Sequence, residues 1–340
     1  MTTVPITTLG NDLSVSAVGF GAMTLSGVYG ATSDDDALAT LHHAVDVGVS
    51  FIDTADVYGA GSNEVLISKL LKGRRDEVVL ATKFGIAGSI ADKTMQARND
   101  SAYVRESVDA SLERLGTDVI DLYYLHRRQV TVPIEETVGA MAELVAAGKV
   151  RYLGLSEVTA AELEAAHTVH PIAAVQSEWS VWSRDVELAV VPTAARLGVG
   201  FVPYSPLGRG FLTGTLTDPA TFADDWRAGL TRFNGDAFER NQAVVEALSA
   251  IAAEHDATAA QIALAWLYAA GRRHGLPVVP IPGTRRTARI DENVGALDIT
   301  LHPANIALLD DLSAHVVGAR SDFDDPNWTS DTRADTPSAQ

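Results

Sequence analysis

Residues 119–157, VIDLYYLHRRQVTVPIEETVGAMAELVAAGKVRYLGLSE, contain the pattern that decides the fold. Short apolar runs at 120–125 and 151–155 predict two strands, and the segment between them carries apolar residues at helical spacing. A strand, a helix and a second strand in this order are typical of parallel strands joined by a right-handed crossover. The rest of the chain repeats this unit.

The same alternation runs from residue 15 to about residue 300. Short apolar runs predict eight strands, at 15–21, 50–54, 78–83, 120–125, 151–155, 173–177, 200–204 and 278–281. Amphipathic helical segments lie between them. Eight units favour closure into a (β/α)₈ TIM barrel over the competing architecture, a doubly wound open sheet. We therefore predict one barrel domain over residues 1–320.

Other segments lie outside the alternation. Helical patterns at 241–255 and 302–316 predict two additional helices. Residues 208–240 form a long connection, and connections of that length usually carry function. The end of the chain, 321–340, is acidic and is expected to be poorly ordered. We expect the long loops on the top face of the barrel, where the carboxyl ends of the strands lie.

Composition excludes several classes of protein. Of the 340 residues, 46% are hydrophobic and 21% are charged, which is typical of a globular protein with a large core. The chain has no cysteine, so it has neither disulfides nor thiolate chemistry, and we expect a cytoplasmic protein. A formal charge of −18 disfavours nucleic acid and anionic lipid as partners. Neither a signal-like N-terminus nor a long apolar run is present, so we expect no membrane span.

Polar side chains follow three consecutive predicted strands at the point where each strand ends. The stretch FIDTADVYG places Asp53 and Tyr58 after the second strand. The stretch LATKFG places Lys83 at the end of the third strand, and DLYYLHRR places His126 after the fourth. Catalytic groups of such barrels cluster at this face, so we expect the four side chains to lie close together.

These four residue types suit the reduction of a carbonyl group. Such a reduction needs a proton donor at the oxygen, which takes up negative charge as hydride arrives. A tyrosine with a pKa of about 10 serves this role when a cation stabilises its phenolate, and Lys83 can be that cation. Asp53 would hold Lys83, and His126 could donate to the substrate oxygen. Each residue alone has an ordinary structural explanation; their joint placement favours function.

Several long stretches resemble the aldo-keto reductase family. They run from about residue 5 to residue 315 and are FIDTADVYGAGSNEVLISKLL, VVLATKFG, IDLYYLHR, GKVRYLGLSE, AVQSEWS, FVPYSPLGRGFLTG and IPGTRRTARIDENVGAL. The resemblance implies a barrel that binds NADP(H) without a Rossmann fold and acts on a small carbonyl compound. It also implies a catalytic tetrad, in which Tyr58 is the general acid, Lys83 lowers its pKa, Asp53 orients Lys83 and His126 positions the carbonyl.

The resemblance further implies contacts along the whole length of the cofactor. Those at the nicotinamide are Ser156, Gln176 and the stacking ring of Tyr204. Those at the pyrophosphate are Ser205, Leu207 and Gly208. Those at the adenosine end are Thr284, Arg285 and Arg289 around the 2′-phosphate, and Glu292 and Asn293 around the adenine. The stretch GTRRTARIDEN is also the strongest cationic cluster of an acidic chain, which suits a phosphate.

The sequence departs from the family pattern at two places. Many members carry asparagine after the serine of the fifth strand, where this chain has Glu157, so the carboxamide contacts there differ. After His126 comes RRQ instead of a more usual acidic, proline-containing turn. We expect substrate selection to lie in that loop, in the 208–240 connection and in the tail. The aromatic residues of these regions are Phe222, Trp226 and Phe233 in the connection and Phe323 and Trp328 in the tail. Trp179, just past the sixth strand, is a further candidate for the substrate pocket, as is Trp226.

Two other functions remain open at this point. One is a noncatalytic subunit on the same barrel that senses nicotinamide nucleotides, and the other is a sugar-phosphate barrel enzyme that uses the cationic cluster for its substrate. The stretch GRGFLTG is not a dinucleotide fingerprint, because its glycine spacing is one residue too long and it follows a late strand. No metal site is expected, since His167 and His170 lack a third ligand.

Overall fold

The structure is a computed structural model in which residues 4–88, 94–322 and 325–333 are described. Its strands are β1 Ile6–Leu9, β2 Leu13–Ser16, β3 Phe20–Gly21, β4 Phe51–Asp53, β5 Val79–Phe84, β6 Ile86–Ala87, β7 Gln96–Ala97, β8 Ile120–Leu125, β9 Val150–Ser156, β10 Ile172–Glu178 and β11 Gly200–Tyr204. Seven of them form one sheet in the order β11-β10-β9-β8-β5-β4-β3, with every neighbouring pair parallel. The predicted parallel barrel is confirmed.

The eighth predicted strand closes the barrel without forming a regular strand. Val278 makes a single parallel bridge to Phe201 of β11. On the other side, the Gly19 amide next to β3 donates to the Pro280 carbonyl oxygen at 2.9 Å. Proline has no N–H, and residues 277, 280 and 282 are all proline, so this segment cannot supply a full ladder on both sides. It nevertheless joins the two edges of the sheet.

The first predicted strand, 15–21, is wrong in extent. Its first half belongs to β2, which pairs with β1 in an antiparallel hairpin, and its second half is the barrel strand β3. Leu9 and Val15 of the hairpin are buried against the residues that fill the barrel interior. The hairpin therefore covers the barrel on the face opposite the candidate site. The run reads as one apolar strand because the hairpin half and the barrel half are both buried.

Ten α-helices lie among the described residues. They are α1 Asp34–Asp46, α2 Ser62–Leu71, α3 Ser101–Leu115, α4 Ile134–Ala146, α5 Ala160–Val169, α6 Val190–Leu197, α7 Gly235–Glu254, α8 Ala259–His274, α9 Thr287–Gly295 and α10 Pro303–Ser313. The predicted additional helices are confirmed as α7 and α10, which pack against each other. Residue patterns explain the helix starts; for example, Thr159 and Glu162 form a capping box at α5. None of the described helices has the length and apolarity needed to cross a bilayer.

The barrel strands are buried on both faces, which is why they read as continuous apolar runs. In β8, Leu122 and Tyr124 pack inside the barrel, whereas Tyr123 and Leu125 pack outward against the helices. Space inside is tight: a Cβ at Gly154 of β9 would lie 2.4 Å from the Tyr124 ring, so only glycine fits there. Above this packed interior, the top layer is polar and forms the candidate site.

The long connection and the tail both pack over the top of the barrel. Short 3₁₀ turns between residues 208 and 233 fold around a cluster of aromatic rings that meet mostly edge to face, those of Trp182, Phe211, Phe222, Phe233 and Phe238. Residues 325–333, which we expected to be poorly ordered, are packed, because Ser330 and Arg333 bond to Glu157. Tail residues 323–324 and 334–340, Phe323 among them, lie outside the described part of the chain.

Candidate active site

Lys83 lies at the centre of a group of ionisable side chains at the top of the barrel. Its Nζ donates hydrogen bonds to Asp53 Oδ1 at 2.5 Å, to the Thr54 carbonyl oxygen at 2.7 Å and to Tyr58 Oη at 3.3 Å. A lysine ammonium has three hydrogens, and these three acceptors satisfy all of them. The side chain is fully buried, and it can stay charged there because its partners replace water.

The backbone explains why these residues meet. Asp53 ends β4 and lies opposite Ala81 of the adjacent strand β5, which also carries Lys83. Beyond β4, the Asp56 amide donates to the Lys83 carbonyl oxygen at 3.1 Å, so the chain stays close to β5. A 3₁₀ turn begins at Tyr58 and holds its ring 4.9 Å from the Lys83 Nζ. The turn after β4 thus places the Tyr58 phenol next to the Lys83 ammonium.

His126 completes the group from the next strand along the sheet. It is the first residue after β8, and its ring meets the Tyr58 ring edge-on with 5.8 Å between centroids. Burial, together with the positive charges of Arg127 and Lys83, holds the pKa of His126 well below its usual range. The imidazole is therefore neutral at physiological pH and offers one N–H donor.

Burial decides the protonation of Tyr58. It raises the pKa of the phenol above its ordinary value, and the Lys83 ammonium opposes that shift without cancelling it. The sequence predicted that Lys83 lowers the pKa of Tyr58; the contribution of Lys83 has that direction, but the net shift is upward because the ring is buried. Burial lowers the pKa of Lys83, but Asp53 and Tyr58 raise it by more, so the net shift is upward. Tyr58 is thus a neutral phenol beside a charged lysine.

Gln176 connects this group to the residues expected at the nicotinamide. Its Nε2 donates to Asp53 Oδ2 at 2.9 Å, so both carboxylate oxygens of Asp53 accept a hydrogen bond. This contact was not expected from the sequence. It leaves the amide oxygen of Gln176 as the atom that could accept from a bound carboxamide. Ser156 of β9 is directly beside Gln176 in register, and Tyr204 ends the next strand, β11.

Glu157 follows Ser156 but serves a different purpose from a carboxamide contact. Its carboxylate accepts six hydrogen bonds, from Tyr204 Oη, the Glu178 amide, two Arg320 nitrogens, and the amide and hydroxyl of Ser330. Burial raises the pKa of Glu157, but the Arg320 guanidinium outweighs it and holds the pKa well below its usual range. The carboxylate is therefore saturated within the protein, and it anchors the tail to the top of the barrel.

The residues implied for the pyrophosphate follow β11 in one tight turn. Ser205 and Gly208 have φ angles of 48° and 56°, and the Gly208 amide donates to the Ser205 carbonyl oxygen at 2.9 Å. A Cβ at Gly208 would lie 2.7 Å from the Trp182 ring, which leaves room only for glycine. Leu207 lies between them in the same turn, so the three predicted residues are brought together.

The residues implied for the adenosine end gather around α9. Arg285 donates to the Ala31 carbonyl oxygen at 2.8 Å, and Arg289 forms an ion pair with Glu292. Asn293 is buried, whereas both arginines are partly exposed. Thr284 precedes the helix, whose N-terminus favours a nearby anion. The structure therefore places all five predicted residues on α9 or in the turn directly before it.

The two tryptophans proposed for the substrate pocket behave differently from that expectation. Trp179 is fully buried between β11 and α8, where it meets Phe201 and Trp266, so it is a core residue. Its side chain points outward from the barrel, which the sequence did not show. Trp226 is half exposed, and its ring contacts the guanidinium of Arg209. Arg209 is the residue directly after Gly208, so Trp226 borders the loop implied for the pyrophosphate.

Two features of the site were not found from the sequence. Arg127 lies beside Ser156 and the Tyr204 ring, and Arg320 pairs with Glu157 across 163 positions of the chain. The RRQ departure after His126 was a signal for the first, since it placed charge at a strand end. No local signal marked Arg320, because its role depends on where the tail folds.

The protein is a parallel barrel with a cluster of ionisable side chains at the carboxyl ends of its strands. This arrangement is typical of α/β-barrel enzymes, whose active sites lie at that face. The chain belongs to the aldo/keto reductase family, whose family model matches residues 17–314. Members of this family are oxidoreductases that use nicotinamide cofactors, and the protein is an oxidoreductase of this kind.

Solved structures agree with this assignment. The chain is 27% identical to the glycerol dehydrogenase AKR11B4 from Gluconobacter oxydans, with a TM-score of 0.82, covering 95% of this chain and 99% of that one. It is 30% identical to the thermostable aldo-keto reductase Tm1743, solved with the inhibitor epalrestat, with a TM-score of 0.71 and coverage of 91% and 99%. It is 26% identical to the aldo-keto reductase AKR11C1 from Bacillus halodurans, with a TM-score of 0.75 and coverage of 94% and 98%.

Proposed function

We propose that the protein uses NADPH to reduce an aldehyde or ketone to an alcohol, with Tyr58, Lys83, Asp53 and His126 as its catalytic group. One observation carries this proposal: the buried Lys83 ammonium bonds to Asp53 and Tyr58 at the same time. A structural ion pair would need only the carboxylate. The additional contact with Tyr58 puts a fixed positive charge beside the phenol oxygen. That charge stabilises the phenolate that forms when the phenol donates its proton.

The residues around the nicotinamide position fit the group. The Ser156 hydroxyl and the Gln176 amide oxygen can serve a carboxamide, and the Tyr204 ring offers a flat apolar face whose hydroxyl is held by Glu157 at 2.9 Å. When bound, the reduced nicotinamide supplies a hydride to the carbonyl carbon. The residues of the chain must then hold the carbonyl and deliver one proton to its oxygen.

Tyr58 is the proton donor of this proposal. Its raised pKa keeps the phenol protonated before the reaction, so the proton is present when the oxygen becomes negative. Lys83 stabilises the phenolate left afterwards, because its charge lies 3.3 Å from Tyr58 Oη. Neutral His126 can donate a hydrogen bond to the carbonyl oxygen from the other side of the site, which orients it without competing as an acid.

Asp53 acts through Lys83. Its two carboxylate oxygens accept from Lys83 and Gln176, so the carboxylate is fixed in one orientation. It therefore positions the ammonium under the phenol and balances its charge in a buried place. Gln176 links this positioning to the nicotinamide side, since it lies opposite Ser156 on the neighbouring strand.

We further propose NADPH as the preferred cofactor and the cytoplasm as the place of action. Arg285 and Arg289 lie together at α9 in a chain of net charge −18, and an adenosine 2′-phosphate would be the anion that this cluster needs. Arg289 already pairs with Glu292, so a phosphate would have to share or displace that carboxylate.

The test is the variant Tyr58→Phe, with Tyr103→Phe as the matched control. Tyr103 lies on α3, and its hydroxyl bonds only weakly, at 3.3 Å, to the Ile86 carbonyl oxygen. We expect kcat for a reactive aldehyde to fall by about 10²-fold or more in Tyr58→Phe, with NADPH affinity preserved in a fluorescence titration. The control should keep both. Retention of activity within a few-fold in Tyr58→Phe would assign the proton to another group, and NADPH binding without any reduction by the wild type would favour a sensor.

A further inference from the structure

Arg127 occupies the space between the proposed catalytic group and the proposed nicotinamide residues. It follows His126 directly, and its Nη1 bonds to the His126 carbonyl oxygen at 3.2 Å and to Ser156 Oγ at 3.4 Å. Its guanidinium carbon lies 5.9 Å from the Tyr204 ring centroid and 5.5 Å from that of Trp328. The guanidinium thus lies beside two aromatic rings.

This arginine has no ionic partner within the part of the chain that the structure describes. No carboxylate there lies within 4 Å of its guanidinium, and its Nε is buried without a hydrogen-bond partner. Neighbouring arginines differ: Arg128 pairs with Glu162 at 3.0 Å, and Arg209 pairs with Glu178 at 2.7 Å. In an acidic chain a partly buried arginine without an ionic partner is unusual, because desolvating a lone charge is costly.

The carboxylates around Arg127 already have other cations as partners. Lys83 is matched by Asp53. Glu157 is matched by Arg320, which lies 2.9 Å away. His126 is neutral, as its lowered pKa requires. Arg127 therefore has no counter-ion of its own among the described residues, and it lies close to where a substrate carbonyl would be held.

We propose that Arg127 binds the carboxylate of the substrate, so that the protein prefers aldehydes or ketones bearing a carboxylate a few atoms from the carbonyl. The inference rests on the proposed function, since it assumes that the carbonyl lies at Tyr58 and His126. A guanidinium presents parallel N–H groups that match the two oxygens of a carboxylate. The Tyr204 and Trp328 rings lie 5.9 and 5.5 Å from its central carbon, and the part of the guanidinium that does not bond to His126 and Ser156 is left for the ligand.

The first measurement compares three aldehydes of similar size: 4-oxobutanoate, its methyl ester and pentanal. With NADPH, we expect the wild type to favour 4-oxobutanoate over the ester by about 10- to 100-fold in kcat/KM, the scale of a charge-assisted hydrogen bond. In Arg127→Met that preference should disappear, mainly through KM for 4-oxobutanoate, and Arg127→Lys should restore part of it. Arg98→Met is the control, because Arg98 is an exposed arginine near the same loop with its own partner, Asp100.

Other outcomes would overturn the inference in distinguishable ways. Equal kcat/KM for the acid and the ester, with both reduced, would refute it and leave the proposed function standing. An Arg127→Met variant with a raised KM for NADPH and an equal loss on all three aldehydes would assign Arg127 to the cofactor. The ratio of kcat/KM for glyceraldehyde 3-phosphate to that for glyceraldehyde can also be compared with the ratio for the acid to the ester. A larger ratio for the phosphate pair would assign the site to phosphate esters.

A binding measurement keeps the inference testable even if nothing is reduced. Titration of succinate into the protein with NADP⁺ present should show saturable binding by calorimetry, weakened at least tenfold in Arg127→Met and unchanged in Arg98→Met. Succinate binding that is equal in wild type and Arg127→Met would refute the carboxylate site independently of any activity.

Discussion

The variant Glu157→Gln tests how strongly the tail is held to the top of the barrel. The substitution keeps the size of the side chain but removes its charge and turns one acceptor oxygen into a donor. That new donor would face groups that also donate, namely Arg320, Ser330 and the Tyr204 hydroxyl. Arg320, only 3% exposed, would lose its principal partner.

The size of the effect follows from the remaining contacts. Removing one partner of a buried ion pair costs roughly 3–5 kcal/mol. Arg320 would keep Asp185 at 3.1 Å and Asp331 at 3.2 Å, so we expect the lower end of that range, about 3 kcal/mol. If the tail instead detaches, Arg320 reaches water. The loss in the free energy of unfolding then cannot exceed the free energy with which the tail binds to the barrel.

Two measurements separate these outcomes. Urea unfolding at pH 7 gives the change in the free energy of unfolding, and hydrogen exchange of the Ser330 amide, which donates to Glu157 Oε2 at 2.9 Å, reports local release of the tail. The control is Glu164→Gln, which breaks an exposed ion pair with Arg196 and should change stability by less than about 0.5 kcal/mol. Wild-type stability and unchanged Ser330 protection in Glu157→Gln would refute the reasoning.

The same pair predicts a dependence on pH. The folded-state pKa of Glu157 is lowered, because Arg320 outweighs the effect of burial. The stability that the carboxylate contributes is therefore present above its unfolded pKa of about 4.3 and is lost as the pH falls toward the folded value. The stability difference between wild type and Glu157→Gln should accordingly shrink between about pH 5 and pH 3. A difference that stays constant over this range would show that the charge of Glu157 is not what stabilises the fold.

Two further predictions concern the cofactor and the acid. Arg289→Met should weaken NADPH binding by about tenfold or more and leave NADH binding nearly unchanged, since only NADPH carries the 2′-phosphate; equal losses for both cofactors, by fluorescence titration, would contradict this. The pH profile of kcat should show no inflection near pH 6.5, because the lowered pKa of His126 keeps the imidazole neutral there. It should also show no fall from loss of the Tyr58 proton below about pH 10, because the pKa of Tyr58 is raised. A fall in kcat between pH 7 and pH 5.5 that is absent in His126→Gln would contradict the assignment of a neutral imidazole.

Most of the barrel could be predicted from the sequence, because strands buried on both faces produce apolar runs that helical segments separate. The prediction fails where two different structural elements are equally buried and so give the same apolar pattern. Val15 and Phe20 are both buried, one in the hairpin and one in the barrel, so the run that contains them reads as one strand. The segment at 278–281 was located correctly, but its prolines limit it to a single bridge.

The sequence by itself determined which chemistry could gather at the top of the barrel, since the carboxyl ends of parallel strands must meet at one face and Asp53, Lys83 and His126 stand at three such ends. Only the tertiary structure decided which charges are satisfied there. Glu157 is saturated by Arg320 from the far end of the chain, whereas Arg127 beside it has no such partner in the described residues. Residue type and spacing fix where a charge lies along a strand, but its counter-ion is chosen by packing between segments that are distant in sequence.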